Sequence, residues 1–359
     1  MTSSITSNKP RVLFIGDINP TAPEHSQYFD LFEVIDYKIV NTEQFHKDMK
    51  DDSRYFNLDG IFGGWPSGGG EVGKFTDELV SILKKNSPNL RLITTCTVGY
   101  DAFDLEALKR NCIHLSNTPS LGAEDVADLV LWHVLESYRY LSRFQQHLLT
   151  VPHTVKSRRI LEREVFKYPF GHLYHQQVVH SPRGKKVGIL GFGKIGQATG
   201  KRLSAIGMEI YYYARNQVKL DSELGFSVTY EPDLKKLVSE MDQIVLALPG
   251  NKDTFHMINE ELLSHAKEGI KIVNVGRGFL IDGEAAVKAL ESGKIGFLGL
   301  DVFWEEPIVD EALLQRDNIS VSPHIGSSTE TIFNGTALFC LQNLEKVLIK
   351  GEEAESLIV

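Results

Sequence analysis

Short apolar runs alternate with amphipathic stretches along most of the chain. One series runs from "RVLFIGD" through "DGIFGG", "ELVSILKKN", "LRLITT" and "DLEALKRN" to "CIHLSN", and a second runs from "KKVGILGFG" to "NISVSPH". Apolar runs of strand length that alternate with helical patterns indicate strand-helix-strand units, whose strands pair in parallel. The pattern therefore predicts an α/β fold with two doubly wound parallel sheets.

Three stretches lie outside this alternation. From about Ala123 to His147, apolar residues recur three and four positions apart, which predicts one long helix. Residues 148–183 show little periodicity and are rich in His, Arg and Tyr, so we expect a long connecting segment on the surface. From Ser327 onward, Ser and Thr cap candidates and Glu330 precede a pattern that predicts one amphipathic helix.

Composition and charge exclude several classes of protein. The 359 residues, 42% hydrophobic and 24% charged, fit two globular domains, and the formal net charge of -9 argues against nucleic-acid binding. Cys96, Cys112 and Cys340 are too few and too scattered for a disulfide framework or a zinc site, so we expect buried thiols in a reducing compartment. Without an apolar leader or a run of membrane-spanning length, we expect a cytoplasmic protein.

The stretch "VGILGFGKIGQATG" carries three glycines at the spacing of a dinucleotide-binding loop. Gly191, Gly193 and Gly196 follow the apolar run Lys186 to Leu190 and precede a helical stretch. Such a loop needs glycine because the turn is tight, a pyrophosphate must come close to the backbone, and the helix must pack near the strand. The N–H groups of the helix N-terminus then face the phosphates. The loop predicts a Rossmann-type site, which Phe192, Lys194 and Ile195 complete.

The next strand, "MEIYYYA", ends at Ala214, where an Asp or Glu would bind both ribose hydroxyls of NAD. Arg215 can instead pair with a 2'-phosphate, and Asn216 can add a neutral hydrogen bond. The sequence therefore predicts that NADP(H) is preferred and that NAD(H) remains possible. The alternative is that Arg215 is only a solvated loop residue.

Three later motifs carry reactive side chains: "NVGRG" with Arg277, "GLDVFWEEP" with Glu306, and "SPHIGSST" with His324. An arginine fork binds a carboxylate at two points, so Arg277 is a candidate for holding a substrate carboxylate. A histidine can donate a proton near neutral pH, so His324 is a candidate acid. A carboxylate such as Glu306 would orient the ring and favour its protonated form. This chemistry requires no metal.

Together with "VGYDAFDLEALKRNCIHLSNTP" at residues 98–119, these motifs resemble the D-isomer-specific 2-hydroxyacid dehydrogenase family. The resemblance runs from about Leu90 to the C-terminus and is weak over 148–183. It implies an NAD(P)-dependent oxidoreductase that forms D-2-hydroxy acids, in the manner of glyoxylate and hydroxypyruvate reductases. It also implies that the N–H groups of Val98 and Gly99 hold the substrate carboxylate and that Asp301 lies by the nicotinamide amide. Further expected coenzyme contacts are Leu248, Pro249, Thr254, Val275, Gly276 and Gly326.

Family resemblance also sets the expected domain organisation. We expect a substrate domain of residues 1–121 and 326–359, a dinucleotide domain of residues 122–325, and an active site in the cleft between them, where closure excludes water. The helix from Ala123 is expected to form a homodimer through residues such as Leu131 and Trp132. The stretch from Gly63 to Gly73, with Trp65, is either a pocket lip or a surface loop.

The sequence leaves two alternatives open. "HSPRGKKVGILG" resembles the yeast D-mandelate dehydrogenase branch, and Trp65, Tyr100, Phe279 and Trp304 lie near positions expected to line the cleft, which favours bulky substrates such as phenylpyruvate or benzoylformate. The other alternative is a nucleotide-sensing transcriptional corepressor of the C-terminal-binding type, which shares the three reactive residues. The missing ribose acid argues against the corepressor, and Glu306 argues against a formate dehydrogenase.

Overall fold

The computed structural model describes residues 9–16, 18–19, 21–63, 73–119, 121–161, 170–175, 177–219 and 224–359. The chain divides into two compact units, Met1–Leu121 with Ser328–Val359, and Gly122–Ser327. One parallel sheet has five strands and the other has seven, so the predicted α/β fold with two doubly wound sheets is confirmed. The assignment of the units to substrate and coenzyme stays a prediction.

The first unit is built on the five-stranded sheet, in which the strand order is β2-β1-β3-β4-β5. Its strands are β1 (Arg11–Ile15), β2 (Glu33–Tyr37), β3 (Gly60–Phe62), β4 (Leu92–Thr94) and β5 (His114–Ser116). Its helices here are α1 (Pro23–Phe29), α2 (Thr42–Asp51), α3 (Asp77–Asn86) and α4 (Leu105–Arg110), with a 3-10 turn at Ser53–Tyr55. Side-chain caps from Asn41, Thr76 and Asp104 each accept an N–H of the first turn and thereby fix where α2, α3 and α4 begin.

The second unit opens with helices that differ from the predicted single helix. They are α5 (Ala123–Arg139), α6 (Leu141–Thr150) and α7 (Thr154–Leu161), followed by the antiparallel pair β6 (Leu173–Tyr174) and β7 (Gln177–Val178). The expected long helix is wrong because Tyr140, at φ 51, separates α5 from α6. Tyr140 is buried and stacks on Tyr174, with ring centroids 5.1 Å apart. The segment over 148–183, which we expected to be a long connection on the surface, contains α7 and this hairpin in its described part.

The seven-stranded sheet forms the body of the second unit, in the order β10-β9-β8-β11-β12-β13-β14. The strands are β8 (Lys186–Leu190), β9 (Glu209–Tyr213), β10 (Val228–Tyr230), β11 (Gln243–Leu246), β12 (Ile270–Asn274), β13 (Ile295–Leu300) and β14 (Ile319–Val321). The helices are α8 (Lys194–Ala205), α9 (Leu234–Glu240), α10 (Glu260–His265), α11 (Gly283–Ser292) and α12 (Glu311–Leu314), with a 3-10 turn at Gly278–Leu280. The central strands β11 and β13 are buried almost throughout, as expected for parallel strands covered on both faces.

The last helical elements are α13 (Glu330–Glu345) and a π-helical turn (Lys346–Lys350), which belong to the first unit. The Thr329 side chain caps α13 by accepting the N–H of Ile332, so the predicted start of this helix is confirmed. Cys96 and Cys340 are buried, but the expectation for Cys112 is wrong, because that thiol is exposed.

Among the residues that the structure describes, no helix is long and apolar enough to cross a membrane. In the same part of the chain, no three His, Cys, Asp or Glu side chains form a group that could hold a metal ion.

Candidate active site

The three predicted reactive residues lie at the carboxyl ends of three neighbouring strands. Arg277 follows β12, Glu306 follows β13 and His324 follows β14, and these strands are adjacent in the sheet. Because the strands are parallel, their carboxyl ends meet at one edge, which is where doubly wound sheets bind ligands. Side chains far apart in the sequence are thereby brought to one place in the second unit.

The turn that carries Arg277 is held by Asn274, which is completely buried. The Asn274 side chain donates to the Arg277 carbonyl oxygen at 2.8 Å, and its oxygen accepts the Gly276 N–H at 3.0 Å. Gly278 lies directly on the following loop, since a Cβ there would lie 1.8 Å from the Phe303 carbonyl oxygen. Glycine is therefore required at 278 for the Arg277 loop and the Glu306 loop to pack together.

Glu306 and His324 form a hydrogen-bonded pair in the second unit. Glu306 Oε2 lies 3.1 Å from His324 Nδ1, and Glu306 Oε1 accepts the Phe303 N–H at 2.9 Å. The hydrogen bond to Glu306 raises the pKa of His324 and outweighs the opposing effect of burial. The pairing leaves His324 Nε2 for a substrate, and the His324 side chain is 41% exposed.

The pKa of Glu306 is shifted in the opposite direction. Burial acts to raise it, but hydrogen bonds from His324 and the Phe303 N–H, together with the charge of Arg277, outweigh burial and lower it. Glu306 is thus kept as a carboxylate while His324 is favoured as an imidazolium. This is the electrostatic arrangement that a proton donor with an orienting carboxylate needs.

Asp301 fixes the backbone around His324. This buried side chain accepts the N–H of Ile325 on Oδ1 and the N–H of Gly326 on Oδ2, both at 2.9 Å, and the Ser322 hydroxyl at 2.7 Å. His324 itself has φ 53, a left-handed conformation that is uncommon for residues other than glycine. A Cβ at Gly326 would lie 2.8 Å from Asp301 Oδ2, so only glycine allows this close approach.

The glycine loop after β8 meets the requirements of a pyrophosphate. Gly191 has φ 91 and approaches the Ala247 carbonyl oxygen, and a Cβ at Gly196 would lie 2.2 Å from the Gly191 oxygen. By contrast, a Cβ at Gly193 would meet nothing within 4 Å, so Gly193 leaves open space at the N-terminus of α8. No side chain caps this helix end, where Lys194 begins the helix. The loop therefore fits a dinucleotide phosphate by its shape and by its donors.

Other predicted coenzyme residues lie in the loops that follow β11 and β12. Thr254 donates to the Pro249 carbonyl oxygen at 2.9 Å and closes the first of these loops. Val275 donates its N–H to the Leu246 carbonyl oxygen, and a Cβ at Gly276 would lie 2.7 Å from the oxygen of Leu248. Both loops extend from the same edge of the sheet as the glycine loop, since β8, β11 and β12 are parallel neighbours.

The end of β9 has the composition that the sequence indicated. Ala214 follows the strand directly and is half-buried, and Arg215 and Asn216 after it are exposed. Arg215 Nη1 lies 4.0 Å from Asp253 Oδ2, and both side chains are about four-fifths exposed at 80% and 78%. A pair so exposed contributes little stability, so Arg215 can exchange Asp253 for a better anion.

The Val98–Gly99 segment belongs to the first unit and follows β4. Asn117 donates to the Val98 carbonyl oxygen and Thr97 to the Gly99 carbonyl oxygen, both at 2.7 Å. With both carbonyls held in this way, the N–H groups of Val98 and Gly99 have no acceptor among the residues that the structure describes. Two free N–H groups in sequence suit an anion such as a carboxylate.

The four aromatic residues of the bulky-substrate hypothesis have different environments. The Trp304 ring packs on Gly283 and on the core of the second unit, and Phe279 covers Gly250. Tyr100, in the first unit, is 40% exposed. Trp65 lies outside the described residues. The contacts of Trp304 therefore support a packing role for its ring.

The chain is similar to known proteins over most of its length. Residues 145–326 match the family described as D-isomer specific 2-hydroxyacid dehydrogenase, NAD binding domain. A glyoxylate reductase from Pyrococcus horikoshii is 36% identical over 281 residues, covering 76% of this chain and 79% of that protein.

Two solved structures are similar over nearly the whole chain. The D-mandelate dehydrogenase of Rhodotorula graminis, in its holo form, has a TM-score of 0.84 at 25% identity and covers 97% of each chain. The NADPH-dependent glyoxylate/hydroxypyruvate reductase of Sinorhizobium meliloti, in complex with NADP and malonate, has a TM-score of 0.76 at 29% identity and covers 98% of this chain and 97% of that one.

The fold, the glycine loop and these matches define an oxidoreductase with an NAD-binding domain. The chain belongs to the D-isomer specific 2-hydroxyacid dehydrogenase family.

Proposed function

We propose that this protein reduces small 2-oxo acids, glyoxylate and hydroxypyruvate among them, to 2-hydroxy acids, which have the D configuration where C2 is chiral, with NADPH preferred over NADH. The observation that carries the proposal is the Glu306–His324 pair at 3.1 Å, with Arg277 at the end of the neighbouring strand β12. A cation for a carboxylate and a protonated acid for an oxygen are what a 2-oxo acid requires. The similarity to glyoxylate reductases favours a small substrate.

In the proposed mechanism the side chains act on the carboxylate and on the C2 carbonyl group of the substrate. Bound NADPH would supply the hydride that reaches C2. Arg277 binds the carboxylate and polarises the carbonyl. His324 donates the proton on Nε2 to the C2 oxygen, so that the carbonyl becomes a hydroxyl. Glu306 holds Nδ1, orients the ring and stabilises its positive charge.

A second candidate substrate class is the bulky aromatic 2-oxo acids. It is favoured by the TM-score of 0.84 with the D-mandelate dehydrogenase of Rhodotorula graminis. The test for both classes is a set of rates with glyoxylate, hydroxypyruvate, phenylpyruvate and benzoylformate, each with NADPH and with NADH. Turnover of only the two aromatic acids would contradict the small-substrate proposal, and turnover of none would contradict the function.

Replacing Glu306 with Gln should move the alkaline limb of the reduction profile to lower pH. The bond to Glu306 is the largest cause of the raised pKa of His324. Reduction uses the imidazolium, so a raised pKa extends activity to higher pH, and loss of the carboxylate shortens that range. The measurement is kcat/KM against pH for both proteins. An alkaline limb at the same pH in both would remove this role from Glu306.

Replacing Arg215 with Ala should weaken NADPH by about 10- to 150-fold and leave NADH nearly unchanged, because a charge-assisted hydrogen bond to phosphate contributes about 1.5 to 3 kcal/mol. The planar guanidinium suits the 2'-phosphate, and Ala214 offers no carboxylate to repel it. The measurement is the ratio of catalytic efficiencies with NADPH and NADH.

Ala214→Asp is the matched variant for the same site. Its carboxylate should repel the 2'-phosphate and bind the free ribose hydroxyls of NADH, so the ratio should fall further. A wild-type ratio below one would contradict the preference for NADPH. An unchanged ratio in Arg215→Ala would mean that another cation binds the phosphate.

We also propose that the protein acts as a homodimer. Large apolar side chains on α5 and α6 are exposed in the second unit, with Trp132 at 40%, Leu141 at 49% and Leu149 at 77%. Exposed apolar residues on neighbouring helices mark a surface that a partner subunit can cover.

A further inference from the structure

His133 is a buried histidine in α5 that the proposed mechanism leaves without a role. Its side chain has no exposed surface, and burial lowers its pKa to about 3, so the ring is neutral near neutral pH. The sheet provides space for this ring at Gly299 of β13. A Cβ at Gly299 would lie 3.1 Å from both His133 Cβ and Nδ1, a distance that few side chains tolerate. The absence of a side chain at Gly299 thus leaves room for the buried side chain of His133.

The hydrogen bonds of His133 have one consistent set of directions. The Ser322 hydroxyl lies 2.7 Å from Asp301 Oδ1, and a carboxylate only accepts, so Ser322 is the donor. With its proton used in this way, the Ser322 oxygen must accept from His133 Nε2 at 3.2 Å. The neutral ring then has no proton on Nδ1, which accepts from the Ser320 hydroxyl at 2.7 Å.

This chain of bonds ends at the segment that carries His324. Ser322 accepts the His324 N–H on its main-chain oxygen at 2.9 Å, while its hydroxyl binds Asp301. Asp301 in turn binds the N–H groups of the two residues that follow His324. Three hydrogen bonds therefore hold a residue whose backbone is left-handed at φ 53, and two of them depend on the placement of Asp301.

We propose that His133 is a positioning residue for His324, acting through Ser322 and Asp301. The Nε2–H donor fixes the Ser322 hydroxyl, the hydroxyl fixes Asp301, and Asp301 fixes the loop and lies near the imidazole of His324. The inference rests on the proposed function, in which His324 is the proton donor. The charged groups that face His324 are Glu306, Asp301 and Arg277, and His133 acts on the placement of Asp301.

The activity test compares His133→Leu with His133→Gln. Leucine removes both hydrogen bonds of His133, of which only the bond to Ser322 acts on His324, so kcat should fall about 3- to 10-fold, the effect of about one neutral hydrogen bond. Because the charge of Asp301 raises the pKa of His324, its displacement should also move the alkaline limb to lower pH. Glutamine offers an amide N–H to Ser322 and an oxygen to Ser320, so His133→Gln should restore most of kcat and the limb. If His133 only filled space, the alkaline limb would stay at the same pH in both variants, or it would shift more in His133→Gln than in His133→Leu.

A measurement on the wild-type protein covers the case in which His133→Leu does not fold. Nitrogen NMR of the protein with 15N-labelled histidine should find His133 with a proton on Nε2 and none on Nδ1, unchanged between about pH 5 and pH 9. A proton on Nδ1, or a titrating ring, would overturn the proposal, as would a folded His133→Leu with wild-type kcat and pH profile. If His324→Ala kept its turnover, the proposed function would fail first. If His324→Ala lost its turnover while a folded His133→Leu kept wild-type kcat and pH profile, only the inference about His133 would fail.

Discussion

Replacing His324 with Ala should lower kcat for 2-oxo acid reduction by at least about 100-fold, the lower range for loss of a general acid. His324 Nε2 points away from the Glu306 bond at Nδ1, and no other side chain in the proposed mechanism gives a proton to the C2 oxygen. Affinity for NADPH should change little, because the proposed phosphate and ribose contacts lie at the glycine loop and the end of β9. The measurement is kcat together with the dissociation constant of NADPH.

His175→Ala is the matched control for this variant. His175 also has a left-handed backbone, at φ 52, and its side chain is 37% exposed and lies 3.7 Å from the carboxylate of Asp317. Asp317 precedes β14, so this pair lies at the opposite edge of the sheet from His324. His175→Ala should keep wild-type kcat. A kcat within about tenfold of wild type in His324→Ala would remove this residue from the proton transfer.

Replacing Arg277 with Ala should reduce kcat/KM by about 150- to 20,000-fold, because two charge-assisted hydrogen bonds of about 1.5 to 3 kcal/mol each are lost. KM should rise and kcat should fall, since in the proposed mechanism the same guanidinium holds the carboxylate and polarises the carbonyl. Asn274 holds the turn through main-chain atoms of 276 and 277, so the backbone should stay in place in the variant.

Arg277→Lys separates charge from geometry at this position. Lysine keeps the positive charge but not the planar fork, so it should recover only part of the loss. The measurement is the full dependence of rate on 2-oxo acid concentration for all three proteins. A KM near the wild-type value in Arg277→Ala would mean that another group binds the carboxylate.

Local signals in the sequence were enough to predict much of the fold and of the site. The glycine spacing at 191, 193 and 196 follows from the shape of one turn, and β8 and α8 occur where the apolar pattern placed them. Arg277, Glu306 and His324 each follow an apolar run, and parallel pairing then brings the three strand ends together. In each case the information lies within a few residues of the position concerned.

What the sequence did not predict depends on distant partners. His133 lies in a helical pattern, and only its contacts 187 and 189 residues away reveal its hydrogen bonds. The helical pattern breaks at Tyr140, whose ring stacks on Tyr174. The spacing of apolar residues along a helix cannot predict such a contact. The hydrogen bonds that Asp301 accepts from Ser322, Ile325 and Gly326 likewise depend on the loop after β14. For Asp301, the family resemblance implied only a contact with the nicotinamide amide.

The most direct test is the reduction of hydroxypyruvate by the purified wild-type protein with NADPH, with the product analysed by chiral chromatography. We expect NADPH oxidation that depends on hydroxypyruvate and a product that is the D enantiomer of glycerate alone. An L or racemic product would contradict a D-specific reductase. If none of the four 2-oxo acids caused oxidation of NADPH or NADH, the proposed function itself would be contradicted.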